Sequence, residues 1–331
     1  MPDRRGEKFP NNRNHQISPQ VDFPRANTHQ FYPYIMNIFV TGASGRVGSH
    51  IIPHLVSRGH TVTGLVRSPQ AAKKIEALGA TAVIGDIADR ELLKKHARES
   101  DGVVHCALNH KTNNLDAEHR DERVILDLLA DELEGSGKAL VLSSGSGTVR
   151  PGQDEHSPSD SSVLTRAKTE QAVLAYKDRG IRSIVVRLAM NTHSADEIHM
   201  FEALLLRTGK QTGFLPYLEG VHWSACHADD AGLLYVLALE TAKPGTVVHA
   251  VQEFPELKEI VEVLGRKTNT NVRPITKDQI NELNLGMVGI FLQLHQDFST
   301  TWTRQTFGWE PKGQLLIDEL NEASSAYFQA A

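Results

Sequence analysis

The sequence predicts an α/β protein built on a doubly wound parallel sheet, and three observations favour this fold. Short apolar runs of the buried-strand type alternate with helical patterns along most of the chain. These runs are continuously apolar rather than alternating, which is typical of parallel strands covered by helices on both faces. The first run leads into a glycine-rich turn that opens a helix. Right-handed crossovers between such strands give the doubly wound order.

The predicted strands and helices alternate regularly up to residue 187 and less regularly beyond it. The strands are predicted at 37–41, 61–66, 81–84, 102–108, 139–143, 183–187 and 246–251. The helices are predicted from the glycine-rich turn to about residue 58 and at 69–78, 89–98, 115–133, 162–179, 196–208, 228–240, 255–266 and 314–326.

The composition is that of an ordinary globular protein of one large domain or two smaller ones. The chain has 331 residues, 40% hydrophobic and 23% charged, with a net charge of −5. This charge argues against bulk electrostatic binding to nucleic acid or to an anionic membrane. The two cysteines, Cys106 and Cys226, cannot build a disulfide framework, so we expect a reducing, cytoplasmic location. No apolar stretch approaches the eighteen residues of a membrane-spanning helix.

Residues 1–35 differ in composition from the rest of the chain. They contain five of the 14 prolines, several asparagines and glutamines, and no helical or strand periodicity. This pattern predicts a disordered arm, with the folded unit beginning at Met36. The arm also lacks the apolar segment of a signal peptide. The alternative interpretation is an arm that binds a partner.

The turn from Thr41 to Gly48 has the spacing of a dinucleotide-binding motif. Gly42 permits the tight turn, Gly45 lets the backbone approach a pyrophosphate, and Gly48 lets the helix pack closely on the strand. The start of the helix supplies free N–H groups and a partial positive charge for the phosphates. The predicted cofactor contacts of this turn are Gly42, Ser44, Gly45, Arg46, Val47 and Gly48.

The end of the second strand favours NADP(H) over NAD(H). An acidic residue there would bind the ribose 2′-hydroxyl of NAD, but this sequence has Arg67 and Ser68 instead. Arg67 can pair with a 2′-phosphate and Ser68 can donate to it, with Arg46 as a second phosphate partner. The alternative for Arg67 is stacking on the adenine. After the third strand, Asp86 and Ile87 are predicted at the adenine, unless Asp86 is a helix N-cap.

These features resemble the extended branch of the short-chain dehydrogenase/reductase superfamily, which includes NAD(P)-dependent epimerases and dehydratases. The resemblance is carried by the glycine motif, Gly85-Asp86, the strand that runs into Ser143-Ser144, Arg187, and the stretch His227–Ala231. It covers about residues 37–325 and is strongest to atypical members that keep the glycine motif and lose part of the active site.

The resemblance implies a Rossmann-type domain with a small C-terminal substrate-binding lobe, and often a homodimer. We assign residues 36–193 and 221–251 to the nucleotide-binding domain, and 194–220 and 252–331 to the lobe. Further cofactor contacts are expected after strands four and six, at Ala107, Leu108, Asn109, Leu188, Ala189 and Met190.

The sequence departs from the family at its acid/base residue. The family uses a Tyr-x-x-x-Lys pair, in which the tyrosine exchanges a proton with the substrate oxygen. Here Lys168 fits the lysine position, but Leu164 stands where the tyrosine is expected. A leucine cannot carry a proton. Lys168 is therefore expected either to bind the nicotinamide ribose or to be a solvated helix residue.

Three polar residues are candidates to replace the tyrosine: Ser144, Ser146 and His110. The two serines end strand five, where they either contact substrate or satisfy backbone groups in a turn. His110 follows strand four at the edge of the sheet where ligands bind, and is either a proton-transfer group or a surface histidine. No metal site is expected, although His50 and His54 have a suitable spacing, because no third ligand is evident.

The sequence thus predicts an NADP(H)-dependent oxidoreductase that acts on a small carbonyl or alcohol. Two other hypotheses remain open. One is a redox-neutral isomerase, lyase or cyclase on the same fold, and the other is a non-catalytic NADP sensor. The expected partner is a small-molecule substrate rather than nucleic acid or membrane.

Overall fold

The computed structural model describes residues 35–108, 114–162 and 164–329. Residues 1–34 of the predicted arm, and the predicted site residues Asn109 and His110, lie outside the described residues. The described strands are β1 (Asn37–Thr41), β2 (Thr61–Val66), β3 (Thr81–Ile84), β4 (Gly102–His105), β5 (Ala139–Gly145), β6 (Arg182–Leu188), β7 (Asn191–His193), β8 (Phe214–Tyr217), β9 (Ala225–His227), β10 (Thr246–Ala250) and β11 (Asn271–Pro274).

The helices follow the predicted order, with further short helices near the C-terminus. They are α1 (Arg46–Ser57), α2 (Pro69–Ala77), α3 (Arg90–Glu99), α4 (Leu115–Leu133), α5 (Arg166–Ala175), α6 (Met200–Thr212), α7 (Ala228–Thr241), α8 (Leu257–Thr268), α9 (Lys277–Glu282), α10 (Gly286–Leu292), α11 (Thr301–Phe307), α12 (Leu316–Glu322) and α13 (Ser325–Gln329). No helix in the described part of the chain is both long and apolar enough to cross a membrane.

The central sheet has seven strands in the order β10-β6-β5-β4-β1-β2-β3. Each neighbouring pair is parallel. The strand order reverses between β1 and β4, and ligands bind at such a switch point in open α/β sheets. The predicted Rossmann-type, doubly wound sheet is confirmed.

Helices cover both faces of this sheet because its strands are apolar on both sides. Ile38 and Val40 of β1 pack into one hydrophobic cluster with Ile51 of α1. Phe39, between them, points the other way and packs with Leu93 of α3 and Leu126 of α4. Successive residues of a strand face opposite sides, so one strand contributes to both clusters.

The region beyond residue 190 forms a third hydrophobic cluster that includes Trp223, Leu257 and Phe291. Its strands lie in two small parallel sheets, β8 with β11 and β7 with β9. These short strands are not among the predicted elements, since three or four residues give too little periodicity to recognise. The division of the chain into two domains at the predicted boundaries stays a prediction.

Several predicted element boundaries are wrong. Strand β5 runs to Gly145 rather than 143, helix α6 spans Met200–Thr212 rather than 196–208, and the helix predicted at 314–326 is divided into α12 and α13. Two further differences lie near the carboxyl edge of the sheet. Strand β4 ends at His105 rather than at residue 108, so residues 106–108 are free to line a cavity. Helix α5 begins at Arg166 rather than at 162, because the preceding loop is closed by hydrogen bonds from Ser162 to the carboxylate of Asp160.

Candidate active site

The glycine-rich turn from Thr41 to Gly48 connects β1 to α1 with the backbone geometry that its glycines allow. Gly42 has φ of +69°, and a Cβ there would lie 2.8 Å from the backbone nitrogen of Ala107. A Cβ on Gly48 would lie 2.3 Å from the carbonyl oxygen of Gly42. Gly45, the N-cap of α1, gives the helix no side-chain cap. The first N–H groups of α1 thus remain available to a phosphate group.

A cleft of about 530 Å³ lies along this turn and the carboxyl ends of β1, β2, β3 and β4. We call it the glycine-turn cleft. Nine of the predicted cofactor residues line it, namely Gly42, Ser44, Gly45, Arg46, Arg67, Asp86, Ile87, Ala107 and Leu108. Its glycine cradle and uncapped helix start fit a dinucleotide.

Three predicted cofactor residues of this region do not line the glycine-turn cleft. Val47 is partly buried and packs against the hydrophobic core. Gly48 serves the close contact of α1 with the turn. Ser68 caps α2, where its hydroxyl accepts from the N–H of Ala71 at 3.2 Å.

The two arginines that are predicted to bind phosphate differ in the hydrogen bonds and ion pairs that they make within the protein. Arg46 donates to the carbonyl oxygens of Glu197 and Ile198 at 3.0 and 2.9 Å, and lies 3.2 Å from the Glu197 carboxylate. Arg46 therefore holds the segment before α6 against the turn. Arg67 is exposed and makes no hydrogen bond or ion pair with any described residue. Arg67 is the freer cation for a 2′-phosphate.

Asp86 lies in the glycine-turn cleft and does not cap a helix. Its Oδ1 accepts from the N–H of Ala88 at 2.9 Å. The N-cap of α3 is instead Asp89, whose carboxylate accepts from Leu92. The capping alternative for Asp86 is thereby wrong, and Asp86 is a lining residue of the cleft.

A second cavity, of about 320 Å³, adjoins the first and shares Cys106, Ala107 and Leu108 with it. We call it the apolar cavity. Its described walls are mostly hydrophobic and include the predicted residues Leu188, Ala189 and Met190. The other apolar lining residues are Leu164, Met200, Phe201, Phe291 and Leu294. Trp223 does not line the cavity; it is buried against Phe201 and donates to the carbonyl oxygen of Phe291.

Ser144 and Ser146 line the apolar cavity, but their hydroxyl protons are engaged elsewhere. Ser144 donates to Glu170 at 3.1 Å. Ser146 accepts from Gln296 at 3.0 Å and lies 2.9 Å from the Ser224 hydroxyl. Ser224 itself donates to Gln296 Oε1 at 2.6 Å, so the Ser146 proton is directed at Ser224. Both serines can accept from a substrate, whereas neither has a proton to donate.

The structure does not bring Lys168 to the cavities. Its side chain is exposed and lines neither of them. Arg166, two residues earlier, faces the apolar cavity and donates to the Glu122 carboxylate and to the carbonyl oxygen of Ser143. Burial lowers the pKa of Arg166 to about 10, which leaves it charged at neutral pH. Leu164 lines the cavity where the family tyrosine is expected.

His119 of α4 also lines the apolar cavity and is not among the site residues predicted from the sequence. Its Nδ1 is 3.0 Å from the hydroxyl of Thr165. The helical periodicity of 115–133 gave no reason to single out one polar residue of its first turns. Buried His193 and half-buried His199 lie beside Glu319 and Glu202 and do not line this cavity.

The remaining polar candidates have structural roles. The N-cap of α7 is His227, and Asp230 accepts from the N–H groups of Lys312 and Gly313. His50 and His54 lie 3.9 and 3.1 Å from the carboxylate of Asp229. Across residues 35–108, 114–162 and 164–329, no group of three or more His, Cys, Asp or Glu side chains has the arrangement of a metal site.

The fold and the two adjoining cavities define a Rossmann-type nucleotide-binding protein with an apolar pocket beside its nucleotide cleft. A family model described as NAD(P)H-binding matches residues 42–212. The chain belongs to this NAD(P)H-binding family, within the extended short-chain dehydrogenase/reductase superfamily, and the predicted resemblance is confirmed.

Relatives in sequence support the same class. The chain is 35% identical to an uncharacterized protein of Saccharomyces cerevisiae over 86% of this chain and 98% of that protein. It is 29% identical to 4-hydroxy-2-methyl-3-oxo-4-farnesyl-3,4-dihydroquinoline-1-oxide ketoreductase of Stigmatella aurantiaca over 69% of this chain and 72% of the relative. The named relatives make this a family of NAD(P)-dependent enzymes.

Solved structures show the same fold. The dTDP-glucose 4,6-dehydratase of Bacillus anthracis, in complex with NAD, superposes with a TM-score of 0.66 at 18% identity. The match covers 89% of this chain and 97% of the dehydratase. At this identity the similarity concerns the fold alone.

Proposed function

We propose that this protein is an NADP(H)-dependent oxidoreductase that interconverts a carbonyl and an alcohol on a small, largely apolar substrate. The observation that carries the proposal is the junction of the two cavities at residues 106–108. A nicotinamide cofactor would supply hydride chemistry when bound, and the residues of the glycine-turn cleft would hold it beside the apolar cavity. The ketoreductase activity in the name of the Stigmatella aurantiaca relative supports this reaction type.

The residues of the glycine-turn cleft have distinct proposed roles. The start of α1 and the backbone around Gly45 would hold the pyrophosphate. Arg67 would hold the 2′-phosphate, and Asp86 would accept from the adenine amino group. The backbone at Leu188–Met190 would bind the nicotinamide carboxamide. The preference for NADP(H) rests on Arg67, because no carboxylate lines the cleft at the end of β2.

The walls of the apolar cavity would select the substrate by its shape and by excluding water. Leu164, Phe201 and Phe291 line the cavity, and half-exposed Met200 lies at its edge. Such walls exclude water from the reacting carbon and strengthen the electrostatic interactions made there. We therefore propose a substrate with one reactive oxygen and a hydrocarbon body rather than a polar sugar.

Turnover of a panel of apolar ketones, followed by the near-ultraviolet absorbance of NADPH, tests the reaction. Substrate-dependent loss of absorbance is the expected result. Product formation without that loss would show a redox-neutral enzyme. Tight NADPH binding with no product from any substrate would instead show a sensor.

Arg67→Glu tests the cofactor preference. Loss of a charge-assisted contact weakens NADPH binding by about 10- to 100-fold, while NADH binding changes little. Fluorescence titration of both cofactors measures the two affinities. Lys73→Glu is the matched control, since exposed Lys73 lies on α2 and lines neither cavity. Equal weakening of both cofactors by Arg67→Glu would contradict the assignment.

A further inference from the structure

The apolar cavity needs a proton carrier that neither the family tyrosine nor the predicted serines supply. Leu164 has no exchangeable proton, and the hydroxyl protons of Ser144 and Ser146 are directed at Glu170 and Ser224. A hydride transfer to a carbonyl leaves an alkoxide, which must take up a proton. Another group at the cavity wall therefore has to exchange that proton.

Most titratable side chains in the described wall of the apolar cavity already have a hydrogen-bond or ion-pair partner. Glu122 accepts from Arg166. Nδ1 of His105 lies 3.0 Å from the Thr41 hydroxyl, and its Nε2, which has no hydrogen-bond partner among the described residues, is fully buried 3.8 Å from the Glu122 carboxylate. Burial raises the pKa of the Cys106 thiol to about 12, so Cys106 remains protonated at neutral pH.

His119 differs from His105 because its ring nitrogen without a partner among the described residues is not one of the fully buried atoms. Nδ1 pairs with the Thr165 hydroxyl at 3.0 Å, which fixes the orientation of the ring. Nε2 has no hydrogen-bond partner among the described residues. The side chain belongs to the cavity wall and contacts Thr165, which lies between the lining residues Leu164 and Arg166 in the chain.

The charges around His119 favour its neutral form. Burial and the neighbouring cation Arg166 lower the pKa of His119 to about 4. The charged groups that face it are Asp116, Glu118 and Arg123 on α4, and Arg166 on α5. Glu122, which is buried, neutralises part of the Arg166 charge through its own ion pair. At neutral pH, His119 can therefore act as a base.

We propose that His119 is the catalytic residue that exchanges a proton with the substrate oxygen, in place of the family tyrosine. This inference rests on the proposed oxidoreductase function. In alcohol oxidation, Nε2 takes the hydroxyl proton and the carbinol C–H bond breaks with loss of hydride to the oxidised nicotinamide. The electron pair left on oxygen forms the second bond of the carbonyl. In the reverse direction, the protonated ring returns its proton to the alkoxide oxygen.

The proposal gives opposite pH dependences in the two directions. Oxidation needs the neutral ring, so its kcat/KM is constant at neutral pH and falls as the pH approaches 4. Reduction needs the protonated ring, so its kcat/KM rises about tenfold for each pH unit below neutrality. A limb centred near pH 7 or above in the oxidation profile would assign the proton to another group.

Substitution of the histidine tests its role directly. His119→Gln keeps a partner for Thr165 and removes the proton carrier, so kcat falls about 10²- to 10⁴-fold with little change in KM. Exposed His156 lines neither cavity, and His156→Gln is the matched control. His110→Gln tests the competing prediction from the sequence. Loss of kcat in His110→Gln but not in His119→Gln would overturn the proposal.

A measurement without turnover separates this inference from the proposed function. In the cofactor-free protein, NMR of the histidine ring protons identifies the His119 signal by its absence in His119→Gln. The expected midpoint of its titration lies near pH 4, and an apolar alcohol in the cavity shifts the signal. A wild-type protein that oxidises no alcohol would refute the function. An active wild type with an unshifted His119 signal would refute the assignment alone.

Discussion

The glycine-turn cleft and the apolar cavity adjoin each other, yet they are built in different ways. The cleft uses backbone groups of consecutive residues, as in the turn from Thr41 to Gly48. The cavity collects side chains from β5, α4, α5, α6 and α10, which are far apart in the chain. A backbone site depends on a few glycines at fixed spacing, whereas a side-chain site depends on how whole elements pack.

Removing the guanidinium of Arg166 gives the largest expected loss of stability. Arg166→Ala leaves the buried Glu122 carboxylate without its cation, which costs about 3–5 kcal/mol of unfolding free energy. Urea denaturation measures this difference. Arg166→Lys keeps the charge and loses less. If Arg166→Ala and the wild type unfolded at the same urea concentration, the ion pair would contribute nothing to the free energy of unfolding.

A methyl group on Gly48 tests the backbone character of the cleft. Gly48→Ala places a Cβ 2.3 Å from the Gly42 carbonyl oxygen, so we expect a loss of about 3 kcal/mol and weaker cofactor binding. Thermal unfolding and NADPH titration measure the two effects. Gly145→Ala is the control for stability, because its Cβ would meet no atom within 4 Å. Unchanged cofactor affinity in Gly48→Ala would contradict the proposed role of the glycine-rich turn in binding the cofactor.

Glu202, which lies outside the central sheet, also has a shifted pKa. It is fully buried, and neither carboxyl oxygen has a hydrogen-bond partner among the described residues. Burial raises the pKa of Glu202 from 4.5 to about 7. Between these values the folded protein keeps a proton that the unfolded chain has lost. The free energy of unfolding therefore falls as the pH rises from 4.5 to 7.

Glu202→Gln removes this pH dependence. Relative to the wild type, the variant gains up to about 3 kcal/mol between pH 5 and pH 8. Melting temperatures of both proteins over this range give the difference, in which the titrations of other groups cancel. A constant difference across the range would show that Glu202 is ionised throughout.

Lys168→Ala has the smallest expected effect. Exposed Lys168 makes no contact with either cavity, so cofactor affinity and kcat remain within about twofold of the wild type. Steady-state kinetics and NADPH titration check both quantities. A loss of tenfold or more in cofactor affinity would restore the family role of this lysine.

The sequence predicted most of what depends on local spacing. Strands β1, β2 and β3 lie at their predicted bounds, and most residues predicted for the cleft line it. Spacing also placed Leu164 at the tyrosine position. It did not show that helix α5 starts at Arg166, because the loop before it is closed by side-chain hydrogen bonds of Asp160.

By itself, the sequence determined the doubly wound sheet and the glycine-turn cleft, since both follow from short apolar runs and glycine positions. Only the tertiary structure decided which side chains face the apolar cavity. His119 and Arg166 both line this cavity because α4 packs on α5. Phe291 lines it from α10, which is far from both helices in the sequence. Such contacts depend on the relative placement of whole elements, and this placement has no local signal along the chain.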